Sequence, residues 1–196
     1  MQLPLFPLNT VLFPGGVLPL KVFEQRYIDM TKACLSEDKP FGVCLIVKGD
    51  EVARPGGASP EIASVGTTAR IRNWDMPQLG ILHVSTLGGT RFLVETHSAD
   101  ASGLLVGNVK PIAPEAKVAI TPAHQPLVRL LEIIAARVGP ANFPDELAYD
   151  DASWVGYRLA ELLPLPLPIK QSMLEINDAA VRLGVLQRFL QQQGLV

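Results

Sequence analysis

NTVLFPGGVLPLKVFEQRY, residues 9–27, decides how the rest of this chain is read. It is strongly apolar and close to the N-terminus, yet Pro14, Pro19 and the Gly15-Gly16 pair interrupt it. A secretory leader needs a basic start and an unbroken apolar run. Here the first basic residue is Lys21, and Pro4, Pro7, Pro14 and Pro19 break any helix through the region. No apolar run approaches the length that crosses a bilayer. The stretch divides instead into strand candidates TVLF (10–13) and LPLKV (18–22), a turn at Pro14-Gly15-Gly16, and the start of a helix. In that helix Phe23, Tyr27, Met30 and Cys34 recur at i, i+4, i+7 and i+11, which is one face.

The composition suits a folded chain. Its 196 residues suffice for one large domain or two small ones with a real core. Hydrophobic residues make up 48% and charged residues 18%, which argues against disorder. A net charge of −2 and a pI near 5.9 carry no electrostatic footprint for nucleic acid. No polybasic run would hold the chain to an anionic membrane. Cys34 and Cys44 have no His or Cys neighbour at metal-ligand spacing and read as reduced thiols packed as small hydrophobes, which fits the cytoplasm.

Outward from the opening stretch, residues 1–115 read as a β-rich subdomain with one helix and 116–196 as a helical subdomain, an α+β layout. LPLF (3–6) is a further short strand, and prolines confine such pieces to edges, strand starts or bulges. FGVCLIVK (41–48) is a continuous apolar strand of the doubly buried kind. Residues 49–62, polar and rich in Pro and Gly, read as an exposed, mobile loop. Strands follow over 63–73, 79–87, 91–98 and 104–112, with Gly88-Gly89 as a tight hairpin between the middle two. RIRNW and LHVST alternate polar with apolar side chains, the mark of a sheet with one wet face.

Leu127, Leu130, Leu131, Ile134 and Val138 then mark an amphipathic helix over 125–138, stopped by Gly139-Pro140. A second helix follows the acidic residues before Ala152 and ends at Pro164; Pro168 opens a third, and Asn177 caps a fourth with Gly184 inside it. Leu183, Leu186, Phe189 and Leu190 make the packing face of that last helix.

No catalytic constellation is written in the chain. His83, His97 and His124 are scattered, and no HExxH, GxSxG, GxGxxG or GxxxxGK[ST] occurs, so no metal, cofactor or phosphate cradle is expected. Asp145, Glu146, Asp150 and Asp151 cluster before a helix, where the helix dipole accounts for them without acid–base chemistry. Trp74 and Met76 lie between two strands, as core lids or as an adaptable binding surface.

Two distant blocks carry a resemblance. The first is LPLFPLNTVLFPGGVLPLKVFEQRY (3–27) with FGVCLI (41–46), VGTTARI (65–71) and GGTRF (88–92). The second is WVGYRLAELLPLP (154–166) with KQSMLEINDAAVRLGVLQRFL (170–190). Together they resemble the N-terminal substrate-binding domain of the Lon ATP-dependent proteases, the LON domain. The resemblance implies a PUA-like pseudo-barrel followed by a helical bundle. It also implies a role in engaging unfolded or hydrophobic polypeptide segments or a protein partner, such as a separate protease or chaperone.

The family's FExRY falls on Phe23, Glu24, Arg26 and Tyr27, and its KQxxLE on Lys170, Gln171, Leu174 and Glu175. On one helix Glu24 and Arg26, two apart, would find different partners, while Phe23 and Tyr27 would share the core face. The Walker motifs and the Ser-Lys protease domain of full Lon are missing, so the protease activity is not carried over. With Met1 at its start, the chain resembles the small stand-alone LON-domain proteins of bacteria. NWDMPQLG (73–80) departs from the compact Asp-Gly turn of related domains, and a longer apolar loop there alters what is bound.

The expectation is therefore a non-enzymatic polypeptide-binding module. Its candidate contact residues are Phe13, Pro14, Gln25, Arg26, Trp74, Met76 and Leu79. A small hydrolase assembled only in three dimensions, or an RNA-binding PUA-like protein, remain the alternatives.

Overall fold

The computed structural model describes residues 1–51, 59–139, 143–144 and 146–195. The centre of the loop expected over 49–62 therefore lies outside the described residues, as do Pro140 and Asp145. The fold is α+β and divides into two compact units, Met1–Ala113 and Pro114–Val196.

The first unit is built on seven strands: β1 (Gln2–Leu8), β2 (Val17–Val22), β3 (Phe41–Lys48), β4 (Glu61–Ile62), β5 (Val65–Gln78), β6 (Ile81–Ala99) and β7 (Leu105–Pro111). Neighbours run β1-β7-β6-β5-β3, and a parallel β1–β3 pairing closes the ring. Closure removes the exposed edges that an open sheet would leave. β4 adds to β3, so Glu61 and Ile62 belong to a strand rather than to the expected loop.

β1 shows how a proline-rich strand can be part of a ring. Its residues 2–5 ladder with β7 and its residues 5–8 with β3, so Pro4 and Pro7 each lie where only one side is laddered. The other side tolerates the missing N–H. Both faces of β1 and β3 are buried, which accounts for their unbroken apolar runs. Leu3, Leu5, Cys44, Phe92, Leu105 and Val109 form one cluster. On the opposite faces Phe6, Leu8, Phe41 and Val43 pack with helix α1 (Gln25–Glu37). Tyr27 stacks on Phe6 with ring centroids 3.9 Å apart, and Ile28, Met30 and Cys34 complete the buried face of the helix. Burying each such side chain contributes about 1.5–3 kcal/mol.

Two expectations about the strands are corrected here. TVLF is not a strand: Val11, Leu12 and Phe13 are buried but unladdered, and the Phe13 carbonyl accepts the Gly16 N–H at 2.9 Å to close a turn. Gly88-Gly89 is not a hairpin, because β6 runs straight through it. An added Cβ on Gly88 would lie 2.2 Å from the Phe13 carbonyl oxygen, so this glycine serves close approach of two backbones. The real turn is at Leu79-Gly80, where Gly80 has φ +83°.

Phe23 is off the helix face, because Glu24 is the N-cap and Phe23 precedes it in exposed chain. Glu24 and Arg26 pair after all, at 3.0 Å, because the cap residue lies outside the helical geometry that would part them.

The second unit holds a 3-10 turn (Pro122–His124), α2 (Gln125–Val138), α3 (Ala152–Leu162), α4 (Leu167–Glu175) and α5 (Ala179–Gln192). Asp151 caps α3 by accepting the Ser153 N–H at 3.0 Å. Asp178, not Asn177, caps α5 by accepting from Val181 N. Val155 and Leu159 of α3 are fully buried, with Leu127 and Leu131 of α2 and Leu183 and Leu190 of α5 also inside.

This unit also contains a polar knot. Arg182 is fully buried; its Nη1 donates to Glu115 Oε2 at 3.0 Å, its Nη2 to Glu115 Oε1 and the Ile176 carbonyl, and its Nε to the Met173 carbonyl at 3.0 Å. Ser153 Oγ (2.8 Å) and Tyr157 OH (2.5 Å) also donate to the Glu115 carboxylate. These bonds place Glu115 in the helical unit, two residues past the division, rather than at the end of the β-rich part.

Candidate surface on the extended hairpin

β5 and β6 are longer than the ring requires, and their excess forms a hairpin. Its register is Asn73↔Ser85, Trp74↔Val84, Asp75↔His83 and Gln78↔Ile81, with shifts after Ile71 and Asp75. Asn73 Oδ1 accepts the Trp74 N–H at 2.9 Å, and Asp75 Oδ1 accepts the Met76 N–H at 2.7 Å. Such side-chain bonds to local N–H groups suit the irregular ladder. The 74–80 segment expected as a loop is thus mostly strand.

β2 lies on the other side of β6, pairing Pro19↔Ser85, Leu20↔Val84 and Lys21↔His83. Three strands therefore stand abreast, and across them run the rows Leu20–Val84–Trp74 and Lys21–His83–Asp75. A groove of about 370 Å³ opens on this surface, between Pro19 to Lys21 and Asn73 to Asp75. Leu82 and Val84 are buried while His83 is exposed, the alternation read in LHVST.

The candidate contact residues fall into two groups. Trp74, Met76 and Leu79 come together on the hairpin; Trp74 is 52% exposed and Leu79, at the turn, 93%. Phe13 and Pro14 lie beside Gly88, at the far end of the β2–β6 ladder, roughly 17 Å away at 3.4 Å per residue. Phe13 is 0% exposed and has no surface to offer.

Gln25 is exposed and donates to Asp29 Oδ1 at 2.8 Å. Arg26 is mostly covered: it donates to the Gly103 carbonyl at 2.7 Å, pairs with Glu24 and lies 4.6 Å from the Tyr27 ring centroid. Sequence reasoning missed Phe23, exposed just past Val22, whose partner Leu82 stands near the hairpin turn. Its helical spacing to Tyr27 hid it, and Glu24, which caps without a side-chain hydrogen bond and is not a usual capping residue, gave no sign that the helix begins after it.

Histidine chemistry has little support here. His83 and His97 stand exposed in β6, and His124 Nδ1 lies 3.1 Å from Thr121 Oγ1. Among the described residues no group of three or more His, Cys, Asp or Glu side chains is placed to hold a metal ion. No described helix is long and apolar enough to cross a membrane.

A closed β-ring with an attached helix, a long β5–β6 hairpin and a helical unit together define an α+β module. The family model of the ATP-dependent protease La (LON) substrate-binding domain matches residues 2–192, and the chain belongs to that family. A Lon N-terminal domain protein from Xanthomonas campestris is 36% identical, with a TM-score of 0.78 over 96% of this chain and 98% of that one. The N-terminal domain of Mycobacterium avium complex Lon protease shares the fold at 20% identity, with a TM-score of 0.65 over 95% of this chain and 96% of that one. A Lon protease from Phenylobacterium zucineum is 27% identical over 95% of this chain, which spans only 24% of that relative. A Lon protease 2 from Myxococcus xanthus is 43% identical over 70 residues, 35% of this chain and 8% of its own length.

Proposed function

We propose that this chain is a non-enzymatic polypeptide-binding module that takes unfolded or hydrophobic segments on the β5–β6 hairpin and the groove beside it. The observation that carries the reading is the gathering of Trp74, Met76 and Leu79, all exposed, on one projecting hairpin. Aromatic and Met side chains are the residue types that adaptable protein-binding surfaces favour. An extended segment laid in the groove would meet Trp74 and the Pro19–Leu20 side, and β2, which lies off the ring and ladders with β6 alone among the described residues, offers backbone groups for strand addition.

Membership in a substrate-binding domain family supports the same reading. Delivery to a separate protease or chaperone extends it, and the buried thiols Cys34 and Cys44 suit a reducing cytoplasm.

Calorimetry of the purified protein against unfolded polypeptides tests the proposal. Trp74→Ser is expected to weaken binding roughly thirtyfold, about 2 kcal/mol, as loss of an aromatic anchor does. Absence of binding across a broad peptide panel, with circular dichroism confirming the fold, would refute it.

A further inference from the structure

The edge of β2 that does not meet β6 carries a definite set of backbone groups. The Gly16 carbonyl accepts the Gly88 N–H at 2.8 Å, and the Leu18 carbonyl accepts from Thr86 Oγ1 at 3.0 Å, so Gly16 and Leu18 face β6. Backbone groups alternate sides along a strand. Leu20 and Val22 therefore face β6 as well, while Val17, Pro19 and Lys21 face outward. Pro19 has no N–H to offer, so the outward set is two donors, at Val17 and Lys21, and three carbonyls. Placed outward, the proline costs the β2–β6 ladder no bond.

Side chains divide in the same way. Leu18 and Leu20 pack against the core from one face yet remain only half-buried. Pro19 and Lys21 stand exposed on the other face, in the rows Pro19–Ser85–Asn73 and Lys21–His83–Asp75. Lys21 makes no hydrogen bond or ion pair with any described residue. Asp75, the acidic member of its row, is two strands away, roughly 10 Å at the usual strand spacing.

We propose that the β2 edge takes one antiparallel strand of an extended polypeptide, with a carboxylate side chain opposite Lys21 and apolar side chains beside Leu20 and Leu18. The inference rests on the polypeptide-binding reading above and says which segments the module prefers. In this register the residues opposite Lys21 and Val17 each exchange two backbone bonds, and the one opposite Pro19 donates one. The carboxylate gives Lys21 the neighbouring counter-charge that its own row does not. A second copy of β2 fits poorly. Pairing about Pro19 sets two residues without N–H against each other, and pairing about Lys21 sets two like charges against each other.

The test is an NMR and calorimetric titration of the isotope-labelled full chain with an acetylated, amidated peptide containing Glu-Leu-Thr-Val-Thr, and with versions carrying Gln or Lys in place of Glu. The Glu peptide is expected to shift the amides of Val17 and Lys21 and to bind about threefold more tightly than the Gln peptide, with the Lys peptide weaker still. Lys21→Glu, an exposed change that leaves the fold intact, should reverse the order of the Glu and Lys peptides. N-methylation of the Glu and the first Thr, whose N–H groups would point at β2, should weaken binding about tenfold. The same modification of the Leu and Val, whose N–H groups would point away, should be tolerated. Equal binding of the Glu and Lys peptides, equal effects of the two methylation patterns, shifts confined to the Leu79 turn, self-association through β2 in place of peptide binding, or no shift at millimolar peptide would each overturn the proposal. The two readings fail separately: unfolded polypeptides that lose affinity in Trp74→Ser, while Lys21→Glu leaves the peptide order unchanged, would uphold the hairpin and reject strand addition.

Discussion

Arg182 is the residue on which the helical unit most depends. Its guanidinium is buried, lies 3.9 Å from the Tyr157 ring centroid and holds Glu115 with two nitrogens. Removing one member of such a pair leaves the other charge buried without its counterion, a loss of about 3–5 kcal/mol. Arg182→Ala is expected to lower stability by that amount in urea unfolding, and Tyr157→Phe by about 1–2 kcal/mol. A double change to apolar residues at 115 and 182 should recover part of the loss.

Burial alone would push the Glu115 carboxyl up, but the hydrogen bonds from Arg182, Tyr157 and Ser153 and the Arg182 charge outweigh it and hold the group below its usual 4.5. The folded value is thus depressed relative to the unfolded one. The stabilisation is fully present above about pH 4.5 and is lost as pH falls through the folded value. Acid unfolding followed at 222 nm should be less steep in Glu115→Gln than in the parent. None of this was legible in the sequence. Glu115 and Arg182 are far apart in the chain, and no spacing rule links a residue before the first helix of a unit to one in its last.

At the scale of elements, β6 decides what the fold can present. Read as two strands joined at Gly88-Gly89, it would end where the ring ends; as one strand, it carries the ring and the hairpin together. The glycine pair resembled a turn because loops and close backbone contacts ask for the same residue. Gly88→Ala distinguishes the two: placed 2.2 Å from the Phe13 carbonyl oxygen, the new methyl should cost about 1–3 kcal/mol in thermal or urea unfolding, where a turn position would be far more tolerant. Leu79→Ser, at the exposed turn, should change stability by less than about 0.5 kcal/mol while weakening polypeptide binding.

The helices were the more legible part. The predicted span 125–138 coincides with α2, since a 3.6-residue period ended by Gly139 leaves little choice. TVLF was misread because burial and strand formation are separate demands: its apolar side chains fill the core while its backbone, unladdered, leads into the Pro14-Gly15 turn. Of the candidate surface, Trp74, Met76 and Leu79 could be found as large apolar residues where a connection was expected. Phe13 belonged to the core, and nothing in its local pattern says so.

Across the whole molecule, each unit has its own buried interior, and the two thiols in the first report on how it opens. Burial, with some help from Glu37, pushes the Cys34 thiol up to about 11, and burial pushes Cys44 up to about 12. At pH 8 neither should react appreciably with a thiol reagent in the native state, and both should react at once in denaturant. Cys34 lies on α1 and Cys44 in β3, so their relative rates separate detachment of the helix from opening of the ring. Equal, slow rates are expected if the unit opens as one.

The continuity of β6 also has a mechanical side. Anything held at the Leu79 turn and drawn outward along the hairpin would pull parallel to β5 and β6. Both strands would move together, so the load would fall in shear on the ladders that join them to β2, β3 and β7, whose bonds lie across that direction. A module that grips a tugged chain at this tip would resist the tug with the ladders on either side of the hairpin, and would be weakest to a force applied sideways at the same point. Single-molecule pulling from residue 79 in the two directions should show the higher rupture force along the strands.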